Sequence, residues 1–152
     1  MTGVVFREAV EGDVAALVAM LADDMLGQSR EVVSDPPTRA YLEAFRRVDA
    51  DPYDMLIVAE RDGRVIGCAQ LTLLKGLSRQ GALRGQIESV RVAADVRGEK
   101  VGEALIRDVV ERARKAGCRL VQLTSDVRRE RAHAFYERLG FAATHVGMKL
   151  EF

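Results

Sequence analysis

The sequence predicts a mixed fold, α/β or α+β, on three observations. Two apolar, β-prone runs, residues 55–59 and 65–74, are joined by Asp62-Gly63, a dipeptide that supplies the positive φ angles of a tight hairpin turn. A β-prone run at 87–92 leads through a glycine-containing turn into a helix with the apolar stripe Val101, Leu105, Val109, Ala113 and Ala116. Helix and strand periods are mixed along all 152 residues with no repeat, linker or low-complexity stretch, which predicts one domain over 1–152.

The remaining elements follow in chain order. Residues 4–6 read as a short strand, and Val14, Leu17, Val18, Leu21 and Met25 recur at helical spacing after it. Gly27, Ser29, Asp35 and the Pro36-Pro37 pair break regular structure, and Tyr41, Leu42, Phe45 and Val48 then mark a second helix. After the hairpin, residues 75–86 (KGLSRQGALRGQ) mix glycines and cations without a period and read as a loop or as a loop with a frayed strand edge. Gly117 closes the long helix in the left-handed cap position. A strand is expected at 120–124, a short helix at 131–139 ended by Gly140, and a last pair of β-prone pieces within 141–152.

Composition sets limits on partners. A chain of this size, 48% apolar, closes a core without disulfides or metal. Lys plus Arg and Asp plus Glu are both 23, so no net field draws in nucleic acid or an anionic membrane, and any basic site is local. Cys68 and Cys118 stand far apart in apolar stretches, with no spacing that holds zinc, and read as reduced core residues. The opening apolar run is too short for a signal-peptide core or a membrane helix, so a soluble cytoplasmic protein is expected.

The strand, turn and helix of residues 87–117 form the most informative unit. A helix that opens after a strand presents unpaired backbone N–H groups and the positive end of its dipole, a geometry that binds phosphate. In VRGEKVGEALI, Gly98 and Gly102 let the backbone approach an anion, and Arg97 and Lys100 add charge beside it. Two glycines alone favour the plainer reading, a strand-turn-helix with glycines for tight packing.

IESVRVAADVRGEKVGEALI, followed some thirty residues on by AHAFYERLGF, resembles the two signature segments of the GNAT superfamily of N-acetyltransferases. The family's turn is Gln or Arg, two residues, Gly, one residue, then Gly or Ala. Here Arg97, Lys100 and Gly102 fall on those places, so a lysine replaces the first motif glycine. TSDVRRERAHAFYERLGF is also similar to aminoalkylphosphonate N-acetyltransferases.

The resemblance implies a central, mostly antiparallel twisted sheet flanked by about four helices. It also implies transfer of an acetyl group from acetyl-coenzyme A to a primary amine of a small molecule, by direct attack in a ternary complex. The implied cofactor contacts are the strand edge at Val90, Arg91 and Val92, and Arg97, Gly98, Glu99, Lys100, Val101, Gly102 and Glu103 at the turn and helix start. A backbone N–H near Val90 would polarise the acetyl carbonyl.

Glu88 is the candidate base: strand alternation puts it on the face of Val90 and Val92, where desolvation would raise its pKa. A bulge would change that face, and pairing with Arg84 or Arg91 would make Glu88 structural instead. Tyr136 lies where the family often keeps the acid that protonates the departing thiolate, although Ala132, Phe135, Tyr136 and Leu139 also make an ordinary packing stripe. A homodimer is the expected assembly, with no nucleic-acid, membrane or metal partner. The alternative is a non-catalytic module that binds coenzyme A or another phosphate ligand and reports it to a partner.

Overall fold

The computed structural model describes residues 3–24 and 26–152. Met25, placed on the first helical stripe by its spacing, lies outside the described residues. The chain falls into two compact units, residues up to 122 and residues 123–152.

Five strands form one sheet in the order β1-β2-β3-β4-β5: β1 (Val4–Glu8), β2 (Asp54–Arg61), β3 (Arg64–Leu74), β4 (Arg84–Val92) and β5 (Leu120–Leu123). The first four are antiparallel neighbours. Arg119 N–H donates to Leu83 O (2.9 Å) and the Gln122 amide to Gln86 Oε1 (2.8 Å), so β5 advances in step with β4 and runs parallel to it. The helices are α1 (Val14–Ala22), α2 (Arg39–Asp49), α4 (Val101–Lys115) and α5 (Glu130–Arg138). A four-residue turn, α3 (Ser78–Gly81), has Arg79 and Gln80 in the left-handed region. Asp62 (φ 52°) and Gly63 (φ 76°) make the expected hairpin turn between β2 and β3.

The first unit is layered. Helix α4 packs its buried Leu105, Ile106, Val109 and Ala113 on one face of the sheet, which offers Ile57, Ala69, Leu71 and Ile87, all buried. Each such Leu or Ile withdrawn from water contributes about 1.5–3 kcal/mol. Gly85 lets this helix approach, because a Cβ there would meet Leu71 and Val121 at 3.0 Å and Ala113 at 3.3 Å. On the other face, Val14, Leu17 and Val18 of α1 and Phe45 of α2 cluster with Val58, Ile66 and Cys68. Farther along that second face the rungs turn polar, with Gln70 opposite Glu88 and Thr72 opposite Gln86.

Two expectations are corrected. β4 begins at Arg84, inside the segment read as a loop. Gly85 is small to admit α4, while Arg84 and Gln86 belong to the polar face, so the strand carries no hydrophobic alternation there. The expected strands within 141–152 are absent: residues 142–152 are extended or irregular chain, and Val146, Met148, Leu150 and Phe152 are exposed. β propensity reflects packing on a paired, half-buried surface, and it does not make a strand without a partner.

Asp13 ties the start of the chain together. Its carboxylate receives two hydrogen bonds from Arg7, at 2.7 and 3.0 Å, and one from Val10 N–H at 2.8 Å; Arg7 also reaches Glu60 on β2. The bonds from Arg7 hold the Asp13 pKa below the usual carboxylate value. Stability from this group is therefore present above the unfolded carboxylate pKa of about 3.9 and is lost as pH falls through the lower folded value. Asp13→Asn should cost about 2 kcal/mol near neutral pH. Urea melts as a function of pH should show the gap to wild type narrowing below about pH 4.

Candidate active site

β4 carries a bulge. Cys68 pairs with Arg91 and Gln70 with Glu88, so two residues of β4, Ser89 and Val90, stand opposite Ala69 alone. Ser89 takes φ 54° to do so, and its carbonyl accepts the Cys68 thiol at 3.5 Å. Cys68 itself is buried, and desolvation pushes its thiol up to about 12, so it stays protonated and is no nucleophile.

The bulge overturns the expected side-chain alternation. Cys68 and Gln70 lie two apart on β3 and so share a face, which puts their partners Arg91 and Glu88 together on the α1 side. Val92 pairs with Gly67, whose added Cβ would meet Leu105 at 3.6 Å, so Val92 faces α4 instead. Glu88 is therefore not on the face of Val92, and it is exposed rather than desolvated. Among the described residues it pairs with neither arginine: Arg84 donates to Gln122 (3.4 Å), and Arg91 donates to Val90 O (2.8 Å) and lies 3.6 Å from Asp24.

β5, with four residues, does not run the full length of the nine-residue β4. Ala93 N–H bonds back to Ile66 on β3, and alternation then turns the amide and carbonyl of Val92 outward. The Val92 carbonyl accepts Arg97 Nε at 3.2 Å, and Val90 O accepts the Arg91 guanidinium. Arg91 turns its own carbonyl toward β3, 3.2 Å from where a Gly67 Cβ would stand. Of the three predicted edge residues, Val92 thus presents its carbonyl away from β3, the Val90 carbonyl is taken by the Arg91 guanidinium, and Arg91 presents its side chain.

The edge runs into the turn. Gly98 (φ 94°) and Lys100 (φ 64°, ψ 13°) both adopt positive φ, and α4 starts at Val101. The first helical bond is Ala104 N–H to Lys100 O (3.1 Å), which leaves the N–H groups of Val101, Gly102 and Glu103 without helical acceptors. Arg97 is held by Asp23 at the end of α1 (2.9 Å), and Glu99 pairs with Arg61 (2.8 Å). Lys100 is exposed and makes no ion pair among the described residues.

Residues 18–141 match the family described as Acetyltransferase (GNAT) family. The chain belongs to this family. It is similar to the glucosamine 6-phosphate N-acetyltransferase of Trypanosoma brucei brucei, 40% identical over 89 residues that make 59% of this chain and 58% of that one. It is also similar to the aminoalkylphosphonate N-acetyltransferase of Salmonella typhimurium strain LT2, 32% identical over 107 residues, covering 70% of this chain and 69% of that protein. The first of these matches thus spans little more than half of that relative's length. Among solved structures, a protein described as a transcriptional regulator from Bacillus halodurans C-125 superposes with a TM-score of 0.95 at 43% identity, over 98% of this chain and 99% of that one.

The GNAT motif and the geometry explain one another at Lys100. The position the family fills with glycine is left-handed here, so the lysine is accommodated at a backbone cost rather than by a different turn. Tyr136 sits in the second unit on α5, edge-on to Phe135 and Phe141 with ring centroids 5.2 and 5.7 Å away. In the same unit Asp126 accepts the Arg128 amide (2.9 Å) and pairs with its guanidinium, so Asp126 starts a turn. Sequence reasoning missed Asp23 and Asp24, which meet Arg97 and Arg91. Two adjacent carboxylates closing an amphipathic helix were the one signal for them.

Lys100→Gly removes the left-handed strain and should stabilise the protein by about 1 kcal/mol. A thermal melt should show this as a rise of about 2–4 °C for a chain of this length.

Proposed function

We propose that the protein is a single-domain N-acetyltransferase that moves an acetyl group from acetyl-coenzyme A to a primary amine of a small molecule, by direct attack in a ternary complex. One observation carries this reading: the outward edge of β4 at Val92 leads directly into the unpaired amides that open α4. That donor set fits the cofactor, since helix-start amides suit a diphosphate and a free strand edge suits an amide-containing arm. Bound there, acetyl-coenzyme A would supply the activated acetyl thioester.

The residues divide the work as follows. Val101, Gly102 and Glu103 hold phosphate through backbone N–H groups, with Gly98 and Lys100 shaping the turn and Arg97 and Lys100 adding positive charge. Val90 and Val92 offer the edge, and the N–H near Val90 stabilises charge on the acetyl oxygen. Glu88, exposed on the open face, takes the proton of the attacking amine. Tyr136 returns a proton to the thiolate, a role that rests on its place in AHAFYERLGF. The acceptors named for the trypanosome and Salmonella relatives, glucosamine 6-phosphate and aminoalkylphosphonates, support a small amine. No helix among the described residues is long and apolar enough to cross a membrane. The exposed alternation of Val146, Met148, Leu150 and Phe152 supports a homodimer, and sedimentation as a monomer would overturn that part.

A second reading, a module that binds coenzyme A and signals it, is favoured by the regulator description of the Bacillus halodurans protein. Thiol release from acetyl-coenzyme A with a panel of primary amines separates the two. Glu88→Gln should lower turnover about 10²- to 10⁴-fold while calorimetry still detects coenzyme A binding. Wild-type turnover in that variant across pH would remove Glu88 as the base, and binding without turnover on every amine would favour the module.

A further inference from the structure

Arg91 carries more unmet hydrogen-bonding capacity than its surroundings require. A guanidinium has five N–H donors. Here Nη1 donates to Val90 O at 2.8 Å, Nη2 makes an ion pair with Asp24 Oδ2 at 3.6 Å, beyond hydrogen-bond range, and Nε is buried with no partner among the described residues. The side chain is only 18% exposed. Arg7 gives the contrast within the same sheet, its guanidinium closed by Asp13 and Glu60 at 2.6–3.0 Å. Arg61 also has an unmatched Nε, yet its Nη2 meets Glu99 at 2.8 Å. A buried charged donor left unmatched is expensive, and an acceptor of matching charge would satisfy it.

The bulge sets what that acceptor is. It brings Arg91 to the face of Glu88, two rungs away, or about 7 Å along the strand. Cys68, opposite Arg91, is a neutral thiol and adds no charge. A carboxylate and a guanidinium at that spacing complement a small molecule with an amine at one end and an oxyanion at the other.

We propose that Arg91 binds the oxyanion of the acceptor, with Asp24 holding the guanidinium loosely until that oxyanion takes its place. The acceptor class is a short amine bearing a phosphonate, phosphate or carboxylate. The fork of Nε and Nη2 suits two oxygens of such a group, which an ammonium cannot match. This rests on the acetyl-transfer reading for the role of the amine, while the oxyanion site is tested by binding alone.

Calorimetry with coenzyme A present, using 2-aminoethylphosphonate, β-alanine and propylamine, tests it on wild type, Arg91→Met and Arg91→Lys. Wild type should bind 2-aminoethylphosphonate, Arg91→Met should weaken that binding about 10- to 100-fold, and Arg91→Lys should fall between, because it keeps the charge and loses the fork. Thermal melts of both variants confirm that they are folded, and the lysine variant carries the test if the methionine variant is not. A parallel loss for β-alanine extends the site to carboxylates, and loss for the phosphonate alone restricts it to phosphorus oxyanions; both support the assignment. Equal affinity in wild type and the folded variants, or no binding of either anionic amine by wild type, overturns it. If Arg91-dependent binding is present while wild type releases no thiol with any amine, the transferase reading fails and the oxyanion site stands.

Discussion

At Ser89 the backbone of β4 takes a positive φ, and from that point two residues of β4 answer one of β3. The arrangement around the site follows from this local constraint. Without the extra residue, strict alternation would put Arg91 on the face of Ile87 and point its charge to the α4 side, where Leu71, Ile87 and Leu105 leave no room for it. With it, Arg91 turns to the α1 side beside Asp24, and Val92 replaces it against α4. A bulge costs ladder hydrogen bonds, and the Ser89 carbonyl recovers part of that loss from the Cys68 thiol.

The turn after β4 shows a similar exchange between backbone strain and binding capacity. Lys100 occupies a left-handed conformation that disfavours every side chain, and it does so at the residue from which α4 begins. The helix dipole and the unpaired amides of Val101, Gly102 and Glu103 do not depend on which side chain stands at residue 100. The exposed ammonium adds a positive charge near those amides. Replacing the motif glycine thus alters the stability of the turn more than the set of donors it presents.

The hairpin at Asp62-Gly63 and the strand, turn and helix around Gly98 were legible because each depends on local chemistry, a turn dipeptide or a glycine before an amphipathic stripe. The start of β4 was not, because Gly85 answers to Ala113, Leu71 and Val121, which are distant in sequence. The face of Glu88 was misjudged for a related reason. Alternation counts residues along one strand, whereas a bulge is defined by the partner strand, and no residue type in IESVRV marks Ser89 as left-handed. The terminal segment failed in the opposite direction: its residues alternate well, but alternation does not supply a neighbour to pair with.

The end of α1 connects these features. Asp23 meets Arg97, which also caps Val92 O, and Asp24 lies near Arg91, which caps Val90 O. Each arginine therefore contacts a carbonyl of the β4 edge and a carboxylate of the chain leaving α1. Under the proposed reading, a ligand arm pairing with that edge would compete for the same carbonyls, and an anionic acceptor would compete with the same carboxylates. The Asp23–Arg97 pair is exposed, and pairs of that kind contribute about 0–1 kcal/mol. Asp24–Arg91 is more buried but lacks hydrogen-bond geometry. Both contacts hold a guanidinium beside the β4 edge, one at the surface and one largely buried, so the chain leaving α1 fixes which side chains stand along that edge.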